Sequence, residues 1–396
     1  MAFWKNHSIY EKAKKKNAGK QKFYFLDGPP YTSGKVHLGT AWNKSLKDCV
    51  LRYKRMKGFD AWDRAGYDMH GLPTEQAVEK KLGLKNKDEI PNYGIANFVN
   101  ECREFSTGNL LAMNEDFKRI GVWMDFENPY MSINNSYMEG EWWLVKKAFE
   151  NKRLYEGEKT MHWCFSCATS LAKHELEYES INDASIFVKF QLKHKQNEFL
   201  VIWTTTPWTI PFNLGVMANP NIDYIRAKVG NETWIVARDL AETFITRIAG
   251  KEFSVLSEFK GSDLLGMEYV HPFADEIARI NEIKAKHPKA LTVVMSEEYV
   301  DTTSGSGLVH MAPGCGPEDY EIGYRNNIIP FNSLSEIGVF DDASGPFSGL
   351  TAKKDDKLIT EKIREKNIIV AENRVQHDYA HCWRCKNPVI FRTTTQ

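Results

Sequence analysis

The N-terminal part of the chain alternates between a strand pattern and a helix pattern. Residues 23–26 are aromatic and apolar, and the run is short enough for a buried strand. Residues 38–57 carry apolar side chains at helical spacing, and Gly58 follows where a glycine commonly ends a helix. The apolar positions that share one face of this helix are Ala41, Leu46, Val50 and Tyr53. Because residues 59–62 predict a second strand, the pattern indicates a βαβ unit whose helix N-terminus faces a ligand crevice.

The rest of the chain has a helical pattern of apolar residues first and a strand pattern afterwards. Residues 76–153 are mostly helical in pattern, with breaks at Pro91, Gly94 and residues 121–129. An apolar stripe in this part predicts core packing: Trp142, Trp143, Val145 and Phe149. From residue 183 to 376 short strands dominate, with two helical stretches near residues 239–248 and 353–366. This second part predicts an α+β or barrel-like domain.

The loop between the first strand and the first long helix carries candidate chemistry. It reads Gly28-Pro-Pro-Tyr-Thr-Ser-Gly and ends at His37-Leu-Gly-Thr40, which is neither a dinucleotide fingerprint nor a P-loop. His37 and Thr40 lie on one face of the first helical turn, and Gly39 lets a flat group approach the backbone. Because helix N-termini bind phosphate, the arrangement suits an adenine ring and a triphosphate. The alternative is that His37 is a helix cap or a core residue.

Composition limits the class of protein. The chain has 396 residues, a net charge of +0 and no apolar run as long as a membrane helix. A basic run between Lys12 and Lys22 is either a nucleic-acid patch or a solvated face. Four of the seven cysteines form two pairs with Cys-x-x-Cys spacing, Cys164/Cys167 and Cys382/Cys385. This spacing is typical of metal ligands in a reducing compartment. We therefore predict a cytoplasmic protein without a membrane segment.

The two cysteine pairs predict one structural Zn²⁺ site. Four thiolates make a tetrahedral site that clamps the ends of an inserted domain and stabilises a small ribbon. His162 and His381 lie next to the pairs and could replace one cysteine. The alternative is two unrelated pairs of turn cysteines.

Several motifs resemble one family. The loop ending in His37-Leu-Gly-Thr40, the segment Asn43-Lys-Ser-Leu-Lys-Asp48 and the segment Gly66-Tyr-Asp-Met-His-Gly-Leu-Pro-Thr-Glu75 resemble the class I aminoacyl-tRNA synthetases, and the last resembles their isoleucyl branch. The resemblance covers the whole chain. It implies ATP with Mg²⁺ as substrate, and it implies catalytic roles for His37, Gly39 and Thr40, the last standing where the family usually has a second histidine. It also implies that Pro29, Pro30, Asp68 and His70 bind the amino acid, with Asp68 on its amino group; otherwise Asp68 is a loop cap.

Two further segments resemble the editing site of the isoleucyl, valyl and leucyl enzymes. They run from Thr204 to Asn213 and from Gly305 to Tyr320. By this resemblance Asp319 fixes the α-ammonium group of a misattached amino acid, and His310 borders the side-chain pocket. The residues expected to line the terminal adenosine or the hydrolytic water are Thr204, Thr205, Thr206 and Asn213. Without the second segment, the threonine run would be read as structural.

The resemblance implies an organisation and a function. We expect the N-terminal half of a Rossmann-type catalytic domain at residues 1–158, a zinc ribbon at 159–182 and 377–390, a β-rich α+β editing domain at 183–376, and a return to the catalytic domain at 391–396. The expected activity is ligation of isoleucine to tRNA(Ile) with hydrolysis of Val-tRNA(Ile), by a monomer. The expected lysine loop of the family, Lys-Met-Ser-Lys-Ser, is not found in this sequence, so we expect a chain truncated before it. A valyl or leucyl enzyme and a stand-alone tRNA-binding or editing module remain alternatives.

Overall fold

The computed structural model describes residues 2–85 and 87–396. It divides into two compact units, unit 1 (Met1–Tyr155) and unit 2 (Glu156–Gln396). Within the described residues, no helix combines the length and the apolar character needed to cross a bilayer.

Unit 1 is an α/β arrangement of short parallel strands and longer helices. Its helices are α1 (Ala2–Asn6), α2 (Ile9–Asn17), α3 (Leu38–Met56), α4 (Leu72–Leu82), α5 (Ile90–Tyr93), α6 (Ile95–Arg119) and α7 (Asn135–Glu150). Its strands are β1 (Lys22–Tyr24), β2 (Asp60–Trp62), β3 (Arg64–Tyr67) and β4 (Asp125–Met131). β1 pairs in parallel with β2 across α3, which confirms the predicted βαβ unit. β3 pairs in parallel with β4, a strand that the sequence pattern had taken for a turn region.

The buried face of α3 is the polar one. Its buried residues are Lys44, Asp48, Leu51 and Arg55. The side chains of Leu46, Val50 and Tyr53 are exposed instead, although an amphipathic pattern would bury them. The buried cations are paired, because Lys44 contacts Asp27 and Arg55 contacts Asp63. Burial of charge is tolerated only with such partners, and the partners lie on neighbouring loops and strands rather than in the helix.

The predicted core stripe of α7 is also wrong. Trp142, Trp143 and Phe149 are exposed, as is Val145, and α7 has no buried residue. The core of unit 1 lies elsewhere, between α3, α6 and strands β2 and β3, where Leu51, Tyr67 and Phe117 are fully buried.

Unit 2 is built on a nine-stranded sheet. Seven of its strands lie in the order β12-β10-β11-β8-β14-β9-β13, and the other two branch from β8, which pairs with β7, which in turn pairs with β15. Its strands are β5 (Glu158–Cys164), β6 (Thr169–Leu171), β7 (Leu176–Gln191), β8 (Glu198–Thr204), β9 (Gly215–Ala218), β10 (Asp223–Val229), β11 (Glu232–Ala237), β12 (Ser254–Lys260), β13 (Thr292–Met295), β14 (Val309–Met311), β15 (Ile369–Cys382) and β16 (Ile390–Thr395). Its helices are α8 (Arg238–Ala241), which continues as a π-helical segment (Glu242–Ile248), α9 (Ala278–Lys286), α10 (Pro317–Arg325) and α11 (Asp356–Glu365).

Two smaller features frame this sheet. β7 and β15 form a long antiparallel ladder that runs from the main sheet to the register pair Leu176–Cys382. β16, β5 and β6 form a separate antiparallel sheet. The β-rich α+β character expected for residues 183–376 is therefore observed, with the two predicted helical stretches at α8 and its π-helical extension and at α11.

Candidate functional site

The first turn of α3 presents His37 and Thr40 together. His37 is the N-cap of the helix, and its Nδ1 accepts a hydrogen bond from the backbone N–H of Thr40 at 3.3 Å. Its Nε2 lies 2.9 Å from Thr40 Oγ1, so in this tautomer the imidazole donates to the hydroxyl. The capping role foreseen as an alternative is thus present. His37 and Gly39 are exposed, which leaves the positive end of the helix open to a ligand.

Asp27 fixes the proline loop and was missed by the sequence reasoning. Its buried carboxylate contacts Lys44, accepts a hydrogen bond from Lys47 Nζ at 2.8 Å and accepts another from the N–H of Gly66 at 3.0 Å. Lys47 also donates to the carbonyl of Gly28 at 2.8 Å. Burial lowers the pKa of Lys44, which the charge of Asp27 opposes. Asp27 directly follows the apolar run of residues 23–26, and an acidic residue at the end of a predicted strand was the available signal. The expectation that this strand is buried is wrong, because Lys22 and Tyr24 of β1 are exposed.

Asp68 lies against the same loop. Its N–H donates to the carbonyl of Pro30 at 3.0 Å, and its own carbonyl accepts from the N–H of Thr32 at 3.0 Å. Pro29 is exposed, and Pro30 and Asp68 are partly buried. Burial raises the pKa of the Asp68 carboxyl, and neighbouring His70 opposes this shift. Of the predicted amino-acid-binding residues, the backbone therefore brings Pro30 and Asp68 into direct contact.

His70 adjoins a cavity of about 240 Å³ in unit 1. The walls are mainly apolar and include Met69, Phe98, Val99, Ile133 and Met138.

The four cysteines of the Cys-x-x-Cys pairs meet in one cluster. Their sulfur atoms all lie within 4.8 Å of one another, and Cys164 Sγ is 3.5 Å from Cys385 Sγ. Four Zn–S bonds of about 2.3 Å in a tetrahedron separate the sulfurs by about 3.8 Å, so the arrangement fits a Zn²⁺ ion. His381 directs its Nδ1 to the carbonyl of Tyr379 at 3.0 Å. Among the described residues the metal-competent group consists of the four cysteines alone.

The two segments that resemble an editing site leave the main sheet at one edge. β8 ends at Thr204 and β14 ends at Met311, and the two strands are parallel neighbours through Trp203 and Val309. The carboxyl ends of parallel strands meet at the same edge of a sheet. The threonine run and the loop that leads to Asp319 therefore follow adjacent strand ends.

A buried hydrogen-bond relay orders the interior of this edge. Tyr269 donates to Asn213 Oδ1, and Asn213 Nδ2 lies 3.4 Å from His310 Nδ1. Thr209 donates to the carbonyl of Thr206 at 2.8 Å and lies 2.8 Å from His310 Nε2. Because the proton of Thr209 is already used, His310 Nε2 must donate and His310 Nδ1 must accept. Burial lowers the pKa of His310 to about 4, so the imidazole is neutral near pH 7.

This relay defines what His310 can do. Both ring nitrogens face protein partners, so the imidazole is held in one orientation and has no ring nitrogen free to exchange a proton with a ligand. The sequence reasoning found Asn213 and His310 but missed Thr209 and Tyr269. Thr209 follows Thr206 by three residues in a helical turn, which was a usable signal. Tyr269 lies 56 residues from its partner Asn213, and nothing in the sequence connects them.

The threonine run is only partly used by the relay. Thr204 is buried, and its Oγ1 accepts from the N–H of Thr206 at 3.0 Å. Thr206 Oγ1 lies 3.2 Å from Thr204 Oγ1. Thr205 and Thr206 are partly exposed, so their hydroxyls can reach a ligand at this edge.

Asp319 lies in the first turn of α10, the helix that follows the glycine loop. Its Oδ2 accepts a hydrogen bond from the N–H of Ala312 at 2.9 Å, which ties α10 to the end of β14. Burial raises the pKa of the carboxyl to about 7 although this hydrogen bond opposes the shift. A β-carbon on Gly314 would lie 2.1 Å from the carbonyl oxygen of Phe331, so the loop requires glycine there. A cationic group is the natural complement of this carboxylate.

Comparison with known proteins agrees with these motifs. A family model described as tRNA synthetases class I (I, L, M and V) matches residues 1–395. The isoleucine--tRNA ligase of Pyrococcus abyssi is 45% identical over 401 residues, which is 100% of this chain and 37% of that protein. The isoleucine--tRNA ligase of Methanocaldococcus jannaschii is 42% identical over 405 residues, which is 100% of this chain and 39% of that protein.

A solved structure was also found: the crystal structure of GlLeuRS-CP1 has a TM-score of 0.38 and 16% identity, and covers 48% of this chain and 98% of that one. The chain spans a little over a third of the length of the curated relatives, 37% for the first of them. Since the family model covers residues 1–395, the chain belongs to the class I tRNA synthetases (I, L, M and V).

Proposed function

We propose that the protein activates isoleucine with ATP, transfers it to tRNA(Ile) and hydrolyses Val-tRNA(Ile). The observation that carries this proposal is the 45% identity, over the whole of this chain, to a protein named isoleucine--tRNA ligase. The exposed turn at His37 supports the synthetic part, and the edge with Thr205, Thr206 and Asp319 supports the hydrolytic part.

In the synthetic reaction the isoleucine carboxylate attacks the α-phosphate of ATP and pyrophosphate leaves. His37 and Thr40 hold the phosphates at the positive end of α3, and Mg²⁺ enters with the nucleotide. Pro29 contacts the aliphatic side chain, and Pro30 packs beside Asp68, whose carboxylate pairs with the amino group. Gly39 leaves room for the adenine. The chemistry depends on placing the reactants rather than on covalent help from the protein.

Substitution of His37 separates its two roles. We expect His37→Ala to weaken ATP binding about tenfold and also to lower stability by about 1 kcal/mol through the lost cap. His37→Asn restores a capping side chain without the imidazole, so it should melt like the wild type and still bind ATP weakly. Calorimetric titration with ATP and thermal melts measure both quantities, with His7→Ala as the exposed-histidine control. Wild-type ATP affinity in His37→Asn would contradict the phosphate role.

In the hydrolytic reaction water adds to the ester carbonyl of Val-tRNA(Ile), the ester C–O bond breaks, and the released ribose oxygen takes a proton. Asp319 anchors the α-ammonium group, and the partly exposed hydroxyls of Thr205 and Thr206 order the adenosine and the water. Thr204 and Asn213 are buried and act through these neighbours: Thr204 Oγ1 accepts from the N–H of Thr206, and Asn213 lies against His310. His310 borders the side-chain pocket. A second sieve is needed because a hydrophobic pocket gains only about 1–3 kcal/mol from one methylene group, and the isoleucyl enzyme is the established example of this limit.

The raised pKa of Asp319 predicts the pH dependence of hydrolysis. Only the carboxylate pairs with the ammonium group, and burial raises its pKa to about 7. The value of kcat/KM should therefore rise with pH along a limb centred near 7, and fall above about 8 as the amino group of the substrate loses its proton. Initial rates corrected for spontaneous hydrolysis measure this profile. An acidic limb centred near pH 4 would contradict the assignment.

Deacylation with three substrates tests the whole proposal. The chain should hydrolyse Val-tRNA(Ile) and leave Ile-tRNA(Ile) intact. It should not hydrolyse Thr-tRNA(Val) faster than Val-tRNA(Ile). Hydrolysis of Thr-tRNA(Val) without action on Val-tRNA(Ile) would favour a valyl enzyme instead. Isoleucine-dependent ATP–pyrophosphate exchange by the protein in its full length tests the synthetic reaction.

The proposal includes one Zn²⁺ ion, a cytoplasmic location and a monomer. The zinc would be held by Cys164, Cys167, Cys382 and Cys385, whose sulfurs fit its geometry. It would supply thiolate bonds that stabilise the ribbon, and it would take no part in either reaction.

A further inference from the structure

The loop between His310 and Asp319 is held from outside by the first and last strands of unit 2. β5 and β16 are antiparallel, and Thr160 and Thr393 are register partners in this pair. Their hydroxyl oxygens lie 2.6 Å apart. Thr160 is buried, with 4% of its surface exposed. A pair of hydroxyls in this position is not required for strand pairing, which uses only the backbone.

Both threonines donate to the backbone of the loop. Thr160 Oγ1 donates to the carbonyl of Pro313 at 2.9 Å. The N–H of Thr393 donates to the carbonyl of Gly314 at 3.1 Å, and its Oγ1 lies 3.2 Å from the same oxygen. Asn332 Nδ2 donates to this carbonyl as well, at 2.9 Å. Because Thr160 uses its proton on Pro313, the Thr393 hydroxyl donates to Thr160 Oγ1, and the two N–H donors from Thr393 and Asn332 fix the direction of the Gly314 carbonyl.

The loop in turn fixes Asp319. Ala312, the residue before Pro313, donates its N–H to Asp319 Oδ2 at 2.9 Å, and a β-carbon on Gly316 would lie 3.0 Å from the same oxygen. Tyr320, the next residue, donates to the carbonyl of Glu158 in β5 at 2.8 Å. The strand pair therefore contacts both sides of Asp319, through Pro313 and Gly314 on one side and through Tyr320 on the other.

From these contacts we infer that Thr160 and Thr393 are positioning residues for ester hydrolysis: they orient the loop that aims the Asp319 carboxylate at the α-ammonium group. The inference rests on the hydrolytic function proposed above. This role differs from a general structural role because the two threonines affect the rate of hydrolysis only through the contact between Asp319 and the α-ammonium group of the substrate. Removing the hydroxyls should reduce the benefit that the α-amino group gives to the substrate.

A pair of substrates isolates this effect. Hydrolysis is measured for valyl-tRNA(Ile) and for its α-hydroxy analogue, in which the ammonium group is absent. Thr160→Val and Thr393→Val keep the shape of the side chain and remove the hydroxyl. We expect each to lower kcat/KM for the valyl ester about tenfold, as for one or two lost hydrogen bonds, and to change that for the hydroxy ester less than about threefold. Thr160→Ser and Thr393→Ser should restore the preference, and Thr395→Val is the exposed control on β16.

The outcomes separate the inference from the function. An equal loss for both esters, or wild-type kinetics in both valine variants, would overturn the positioning role while leaving hydrolysis intact. A wild-type chain that hydrolyses neither ester would overturn the proposed function itself. Hydrogen exchange provides a readout that does not need activity: the amides in residues 311–316 should exchange at least about threefold faster in the valine variants than in Thr395→Val. Unchanged exchange there would also contradict the inference. If Thr160→Val folds poorly, the partly exposed Thr393 carries the same comparisons.

Discussion

Asp319→Ala should deacylate Val-tRNA(Ile) at least about a hundredfold more slowly than the wild type. The carboxylate sits where protein atoms crowd it enough to raise its pKa to about 7, so few waters compete for the cation that it pairs with. Removing one partner of such a pair costs about 3–5 kcal/mol, which corresponds to about two to four orders of magnitude in rate. Single-turnover hydrolysis of radiolabelled Val-tRNA(Ile) measures the loss.

Two companion variants identify the cause of this loss. Asp319→Asn keeps an oxygen that can accept from the N–H of Ala312 but removes the charge. It should therefore lose nearly as much activity as Asp319→Ala while melting at the wild-type temperature. Glu318→Ala removes a neighbouring exposed carboxylate and should be active. If Asp319→Asn hydrolyses the ester at the wild-type rate, Asp319 holds only the loop and the ammonium assignment is wrong.

The sequence was sufficient for the family and for the main elements of the fold. The family match over residues 1–395 confirms the resemblance to class I synthetases and the α/β class with a β-rich second part. The strand-loop-helix-strand pattern also held, since β1 and β2 flank α3 as predicted. Local patterns succeed here because turn glycines and helix periods depend on nearby residues.

The failures in unit 1 concern which face is buried. Periodicity assigned Leu46 and Val50 to the packed face of α3, but the buried residues include Lys44 and Arg55. A cation is buried only where a distant acid meets it, and the partners Asp27 and Asp63 cannot be recognised from the helix alone. The exposed aromatic residues of α7 show the same limit, because the spacing of apolar residues along a helix does not say whether another element packs against that face.

The candidate hydrolytic site was predicted as a list of residues but not as a network. Motif residues such as Asn213 and His310 carry the family resemblance, and their roles remain proposals. Tyr269, the partner of Asn213, and the pair Thr160 and Thr393 lie outside both motif segments and are ordinary residue types there. Their importance arises from strand register and from loops that approach each other in space, and a single sequence contains no record of either.

Removal of the proposed Zn²⁺ ion from the four-cysteine cluster is the second change for which we expect a large effect. We expect the purified chain to hold one Zn²⁺ ion, and Cys164→Ser or Cys382→Ser to lose it. The cluster lies at the end of the β7–β15 ladder, where Cys382 is the register partner of Leu176. Few buried apolar residues surround the cluster, among them Leu171 and Val389. We therefore expect a ribbon with so small a core to depend on a bound metal for its folding free energy.

Loss of the ion should therefore lower the melting temperature of unit 2 by about 10 °C, the shift expected for a loss of about 3–5 kcal/mol in a domain of this size. Metal analysis and calorimetry of the variants measure both effects, and a strong chelator should reproduce them in the wild type. Cys49→Ser removes an exposed thiol of unit 1 and should retain the ion and the melting temperature. His381→Ala should also retain the ion, because its Nδ1 faces the carbonyl of Tyr379 and the four cysteines complete the coordination. If the purified wild type contains no metal and has the same melting temperature as Cys164→Ser, the zinc proposal is wrong and the four sulfurs are held together by packing alone.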